Sequence, residues 1–316
     1  MDSSVRPEDA RICFIDQPLL IRPAYRHLYD ELLKCAPVMD SPEDVERVLG
    51  LDQAYPVAAR ANVPQTATAF ISLDDETVLS IKSQTDVRRS LTERIYKAAF
   101  EQDLDPHRGL YIRGFYSSLK TADPFYYFAG NQEEVEATVY EVIRNLRESF
   151  EVGGLAIREM IDLKKLRLPP LEKDRPAAKV PFEFRITFLE GRPIMANYHG
   201  PFNSTARSHE RGIVRGLEKH RKIIDRIRPL AHKMRDFPPN FVADFAFYKD
   251  GEPVLIETNP LYSSGYNVPE AHAWLLANLG NTLAMKAGYD PVDVRRSTER
   301  LIGRKIREHA GFQIWN

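Results

Sequence analysis

Residues 241–267, FVADFAFYKDGEPVLIETNPLYSSGYN, constrain this chain more than any other stretch. Two runs of alternating apolar residues flank Lys249, Asp250, Gly251 and Glu252. Asp-Gly between β-type runs signals a tight hairpin, because a type I′ turn needs positive φ at both central residues. With Asp250 and Gly251 as a two-residue loop, Lys249 faces Glu252 and Asp244 lies directly across from Glu257. Strand side chains alternate faces, so Asn259 shares the face of Glu257. Directly opposed side chains have Cβ atoms about 5 Å apart, where like charges repel. Two opposed carboxylates with an amide one step along therefore call for a cation. The donors are all oxygen, with no His or Cys nearby, which is a hard-cation set suited to Mg2+ or Mn2+ rather than Zn2+. The plainer alternative is an exposed hairpin whose polar face meets water.

A length of 316 residues implies two or three lobes. The net charge of −1 supplies no field that would draw the chain to nucleic acid or an anionic membrane. Cys13 and Cys35 lie in apolar surroundings outside any CxxC or Cys/His cluster. They read as reduced core residues of a cytoplasmic protein. The opening MDSSVRPEDAR has no basic-then-apolar signal region, and no apolar run is long enough to span a membrane.

The rest of the chain alternates strand and helix patterns. Residues 11–16 (RICFID) read as a buried strand, 19–35 as a helix and 40–51 as a second short helix, a small βα beginning. Residues 67–72 (ATAFIS) read as a strand, 85–102 as a charged helix and 105–109 (DPHRG) as a turn. The β run 110–115 (LYIRGF) carries Arg113 and leads into the polar loop Ser117, Ser118, Leu119, Lys120. Asn131 opens a helix to about residue 150, with Glu134 at the capping-box position. Residues 155–161 (LAIREMI) are a strand, and the Lys-, Leu- and Pro-rich 162–180 reads as a long, mobile connection.

Residues 182–189 (FEFRITFL) alternate strictly, with Glu183, Arg185 and Thr187 opposite the face of Phe182, Phe184, Ile186 and Phe188. Glu190-Gly191 turns the chain, and 192–199 returns as the partner strand. An apolar face backed by Glu-x-Arg is a ligand-facing pattern that half-exposed strands also share. Residues 208–234 read as one long helix bearing Arg207, Arg211, Arg215 and Lys219 every four residues. Like charges at that spacing repel weakly. The row is a solvated face balanced by Glu210, Glu218 and Asp225, or it meets an acidic substrate or a protein partner. An apolar helix with Trp274 covers 269–287, and a basic, mixed-charge helix covers 291–310.

This order of polar strands resembles the ATP-grasp superfamily over residues 63–267. The most specific part is Asp244 with Glu257-Thr258-Asn259-Pro260, similar to that family's closing metal motif. YIRGFYSS, LAIREMIDL, PFEFRITFLEGRPI and ADFAFYKDGEPVLIETNP resemble a compact branch. That branch holds peptide- and amino-acid-modifying ligases and the chaperone that assembles translation initiation factor 2. The resemblance implies an α/β (α+β) ATP-grasp fold, two lobes of mixed and antiparallel sheets clasping the nucleotide after a small βα region. The expected division is 1–62, 63–162 (small lobe), 163–290 (large lobe with the metal site) and 291–316 (C-terminal helix).

Residue roles follow from the resemblance. Arg113 would contact the α/β phosphates in place of the usual Lys, with the fixed geometry of a guanidinium fork. Ser117, Ser118 and Lys120 would cover the phosphates in a loop that lacks the usual glycines, with Lys120 counted among the catalytic residues. Glu159, Met160 and Ile161 would form a hinge whose backbone reads the adenine edge, with Asp162 or Glu159 near the ribose. Glu183 would border the nucleotide, and Arg185 would point at the γ-phosphate and the reacting carboxylate. Asp244, Glu257 and Asn259 would hold Mg2+, and Ser263, Ser264 and Gly265 would line the acyl-phosphate end.

The activity implied is ATP-dependent ligation of a carboxylate to an amine through an acyl phosphate. Two alternatives keep the same metal residues: an ATP-binding assembly chaperone acting on a protein partner, and a kinase.

Overall fold

The structure is a computed structural model. It describes residues 40–81, 84–116, 128–129, 131–149, 153–168, 178–199, 210–261, 268–306 and 311–315. The strand and helix expected at 11–16 and 19–35, both cysteines, Ser117, Ser118, Lys120, Arg207 and Ser263 to Gly265 lie outside these residues. Among the described residues no helix is long and apolar enough to cross a membrane.

Two short helices, α1 (Pro42–Leu49) and α2 (Leu51–Arg60), open the described chain. The fold then divides into two compact units. One takes Leu49–Ala59 and Pro64–Asp162; the other takes the described residues up to Val48, Arg60–Val63, and the chain from Leu163 onward.

The first unit holds β1 (Thr68–Ser72), α3 (Asp75–Ser80), α4 (Thr85–Glu101), β2 (Leu110–Gly114), β3 (Phe128–Ala129), α5 (Gln132–Ser149) and β4 (Gly154–Glu159). Its strands form an antiparallel sheet in the order β1-β4-β2-β3. Ile95, Ala99, Val135, Val139 and Ile143 of α4 and α5 pack with Ala69, Ile71, Ile112 and Ile157 of the sheet. Leu51 and Tyr55 of α2 cluster with Phe70, Phe115 and Ala156. The N-terminus of α5 is capped as its sequence indicates, with Asn131 Oδ1 accepting from Glu134 N–H at 3.0 Å.

The second unit begins with a two-stranded arm, β5 (Lys165–Leu168) and β6 (Ala178–Pro181). The described parts of the expected connection over 162–180 thus include a strand pair. Its anchor is Leu166, buried beneath Gly216 of the helix that covers it, together with a hydrogen bond from Phe182 N–H to Lys164 O. β7 (Phe184–Leu189) and β8 (Arg192–Tyr198) follow. The helix expected over 208–234 is three pieces, α6 (Glu210–Lys219), α7 (Arg221–Ile224) and α8 (Ile227–Lys233). Pro229 has no N–H to continue a helix from upstream; restarting at Ile227 places it in a first turn, where that donor is not needed.

β9 (Phe241–Phe247), β10 (Pro253–Pro260), α9 (Pro269–Lys286), α10 (Val294–Ile302) and β11 (Phe312–Ile314) complete the unit. α10 stops short of the expected 310 because Gly303 takes a left-handed cap at φ 67°. The sheet order is β10-β9-β7-β8-β11, all neighbours antiparallel. One face is aromatic: Phe182, Phe184, Tyr198 and Phe247 meet edge-on or tilted, and Phe241 stacks on Phe188 at 4.2 Å. On the other face Met195, Val242 and Phe312 pack with Trp274, Leu275 and Leu279 of α9.

Candidate functional site

The hairpin at residue 250 differs from the expected one. Gly251 has φ 89°, while Asp250 is not among the residues with positive φ, so the turn is not type I′. Tyr248, not Lys249, faces Glu252, through Tyr248 N–H to Glu252 O at 2.9 Å. The loop therefore has three residues, with Gly251 in the left-handed position and Asp250 Oδ1 accepting from Glu252 N–H at 3.0 Å. This shifts the pairing by one residue, and a bulge between Leu255 and Glu257 shifts it back. Asp244 consequently lies opposite Glu257, as expected, by a different route.

The partner strand adds to this pair. β7 lies beside β9 with Arg185 opposite Asp244, and β8 lies beside β7 with Asn197 opposite Arg185. Asn197, Arg185, Asp244 and Glu257 thus form one polar row across four strands. It continues the face that Met195, Val242 and Phe312 present to α9. Asn259 follows one step along β10, and its Nδ2 donates to Glu257 Oε1 at 3.1 Å.

All the row's side chains are buried: Arg185 and Asp244 at 2 %, Glu257 at 7 %, Asn259 at 6 % and Asn197 at 0 % exposure. Arg185 grips Asp244 with a fork, Nε to Oδ1 at 2.8 Å and Nη2 to Oδ2 at 2.6 Å. Such charge-assisted, bidentate bonds are among the strongest side-chain contacts. His199, on the same face just beyond β8, brings Nε2 to 4.0 Å from Asp244 Oδ2. The expectation of no histidine nearby is corrected here, because sheet order rather than sequence distance sets that approach.

The donor set suits a hard divalent cation. Glu257 and Asn259 lie together, and an Asn side chain offers a neutral oxygen. Among the described residues no group of three His, Cys, Asp or Glu side chains gathers, so an amide is needed to make up a third ligand here. Arg185 donates to both oxygens of Asp244, so a cation ligated by Asp244 would sit beside the guanidinium and compete with the fork through like-charge repulsion.

The other expected residues are distributed as follows. Glu183 is half-buried. Burial, and after it the charge of Glu183, holds the neighbouring Tyr198 phenol well above its ordinary pKa, while the Tyr198 hydroxyl donates to Pro181 O at 2.9 Å. Arg113 is buried in β2 of the first unit, in register with Ala156. Glu159 ends β4, and Asp162 is exposed. Met160 N–H donates to Gly109 O at 3.1 Å, so this hinge donor, expected to read adenine, is already engaged in the sheet.

Sequence reasoning missed Asn197 and His199. Glu190-Gly191 is the two-residue turn expected, with φ 51° and 73°, but a bulge displaces the register beyond it. An unbulged hairpin would set Ala196 opposite Arg185 and turn Asn197 to the aromatic face. The one available signal was Pro193, which has no N–H for the ladder and so favours a bulge.

No curated protein sequence matches this chain. Among solved structures, the chain is similar to Cdc123 from Schizosaccharomyces pombe, at 16 % identity and TM-score 0.47 over 72 % of this chain and 88 % of that one. It is also similar to the D-alanine-D-alanine ligase from Coxiella burnetii, at 15 % identity and TM-score 0.46 over 91 % and 67 %. A third is a Chryseobacterium gregarium RiPP-associated ATP-grasp ligase in complex with ADP and a leader and core peptide, at 12 % identity and TM-score 0.44 over 85 % and 72 %. A family model for an ATP-grasp domain, the third family of its clade, matches residues 97–282. Because that match spans more than half of the chain, the protein belongs to the ATP-grasp superfamily and has its fold.

Proposed function

We propose that this protein is an ATP-dependent carboxylate–amine ligase that uses Mg2+ and passes through an acyl phosphate. The observation that carries the reading is the buried row Asn197–Arg185–Asp244–Glu257 with Asn259 beside it, in a chain of the ATP-grasp superfamily. Two carboxylates and a guanidinium buried on one sheet face are not explained by stability alone, since apolar side chains of similar volume serve as well or better.

In this reading Glu257, Asn259 and Asp244 hold Mg2+, which screens the charge of the nucleotide phosphates. Arg185 presents a rigid cationic fork to the γ-phosphate and to the substrate carboxylate, bringing two anions together. The carboxylate oxygen attacks the γ-phosphorus, the bond to the bridging oxygen breaks, and ADP leaves. The amine nitrogen then attacks the acyl carbon, phosphate departs with the electron pair, and the nitrogen loses a proton. The protein contributes position and charge in a dry site, which is most of what phosphoryl transfer needs. Arg113, Ser117, Ser118 and Lys120 complete phosphate binding, and Glu159 to Asp162 border the nucleoside. The carboxylate and amine are those of an amino acid or peptide, and the protein works in the cytoplasm without nucleic acid or membrane.

The test is ADP and phosphate release by the pure protein with Mg·ATP and pools of amino acids and peptides. Release that requires both a carboxylate and an amine supports a ligase. Nucleotide binding without turnover favours an assembly chaperone, and transfer to a hydroxyl favours a kinase. Asp244→Ala or Glu257→Ala is expected to abolish thermal stabilisation by Mg·ATP; an unchanged shift refutes the metal assignment.

A further inference from the structure

Asn197 is fully buried, and its Oδ1 has no hydrogen-bond partner. The amide orientation is fixed from the other end, since Nδ2 donates to Tyr198 O at 3.4 Å and a flipped amide would set two oxygens against each other. A buried acceptor left unmet costs free energy, and such atoms are rare enough to need an explanation. The strand directly opposite carries Arg185, a side chain with five N–H donors. In this structure Arg185 turns to its other neighbour and forks Asp244. Arg185 therefore stands between two acceptors, one occupied and one empty, each directly across from it on an adjacent strand.

We propose that Asn197 is a positioning residue that receives the Arg185 guanidinium when Asp244 is given over to the metal. The inference rests on the reading of Asp244, Glu257 and Asn259 as metal ligands. Each Asp244 oxygen keeps a lone pair beyond the one that accepts from Arg185, but a divalent cation bound there repels the guanidinium and so weakens the fork. Once the fork opens, the Nε and Nη2 donors it releases need an acceptor, and Asn197 Oδ1 is placed in register for them. Each acceptor lies one strand spacing, about 4.8 Å, to either side of the Arg185 backbone, so the head crosses about two spacings, which rotation of the long Arg side chain covers. Asn197 then holds Arg185 with part of its donor set, leaving the rest turned toward the bound phosphates.

The experiment measures Mg·ADP affinity by titration calorimetry, with metal-free ADP in EDTA as the second arm. Asn197→Leu is expected to weaken Mg·ADP by roughly tenfold or more, the loss of one hydrogen bond to a charged group. It should leave metal-free ADP unchanged and melt no lower than wild type, because an unmet oxygen has gone. Asn197→Asp, which keeps an acceptor, should bind Mg·ADP at least as tightly as wild type. If the leucine variant does not fold, Asn197→Ala takes its place with the same expectations for binding. Unaltered Mg·ADP binding by the variant, or equal weakening with and without metal, overturns the proposal. Failure of the wild type to bind Mg·ADP removes instead the functional reading beneath it.

Discussion

Arg185 and Asp244 stand 59 residues apart in sequence and face each other on adjacent strands, joined by bonds of 2.8 and 2.6 Å in a site almost closed to water. Removing one partner leaves an uncompensated buried charge, which is far more costly than losing both. Arg185→Met is expected to destabilise the fold by about 3–5 kcal/mol in urea unfolding. Arg185→Met with Asp244→Leu should recover most of that loss. A double variant no more stable than the single one would show that the fork does not set the cost.

The turn at Gly251 has a conformational requirement. At φ 89° a side chain is strained, and a Cβ there would lie 3.3 Å from Ile223 Cδ1. Gly251→Ala is expected to cost about 1–2 kcal/mol, mostly from the left-handed backbone. Denaturant midpoints of the two proteins, compared at equal slope, decide this; equal midpoints would mean that the loop relaxes freely.

His220 makes stability depend on pH. Its pKa lies below the ordinary histidine value, chiefly from burial and then from the charges of Lys164 and Lys219. Its ring also packs edge-on against Phe182 at 5.4 Å. The unfolded chain therefore takes up the proton more readily than the folded one. Stability from this source is intact above the ordinary pKa, falls as pH drops through about 6.5, and stops falling below the folded pKa. His220→Gln should flatten the stability–pH curve in that window. Parallel curves for variant and wild type from about pH 7.5 to 5, which bracket the ordinary value, would contradict it.

Phe241 is fully buried, stacked on Phe188 at 4.2 Å and on Phe237 at 5.1 Å. Phe241→Ala is expected to cost about 3–5 kcal/mol, as a large cavity in a packed layer does. Phe241→Leu should cost clearly less. Calorimetric melting of both variants checks the order; similar losses would mean that the ring contacts, rather than the filled volume, carry the energy.

The Asp244–Glu257 opposition was legible in the sequence through two errors that cancel. A two-residue loop was expected, and the loop has three; the bulge after Leu255 restores the pairing. At the other hairpin the Glu190-Gly191 turn lies where the sequence puts it, while the register beyond it had no signal strong enough to read. The bulge near Pro193 moved Asn197 onto the face of Arg185. Turn chemistry is local, written in residues such as Glu190-Gly191, whereas a bulge answers to what packs along the strand. Here Ile194 O accepts from Trp315 N–H at 2.9 Å, beside β11 at the far end of the described chain. The same distinction explains the arm at β5 and β6, whose anchor under Gly216 has no local signature.

The sequence by itself determined which residues share a strand face, where the chain reverses, and that Glu257 and Asn259 point to the same side of their strand. Those features follow from a period of two and from backbone preferences of single residues. Only the tertiary structure decided that β7 lies between β9 and β8, that Asp244 is held by Arg185, and that the Asn197 oxygen stands unmet on the other side. Strand order is settled by how whole faces bury against α9 and the aromatic layer, and no local pattern carries that information.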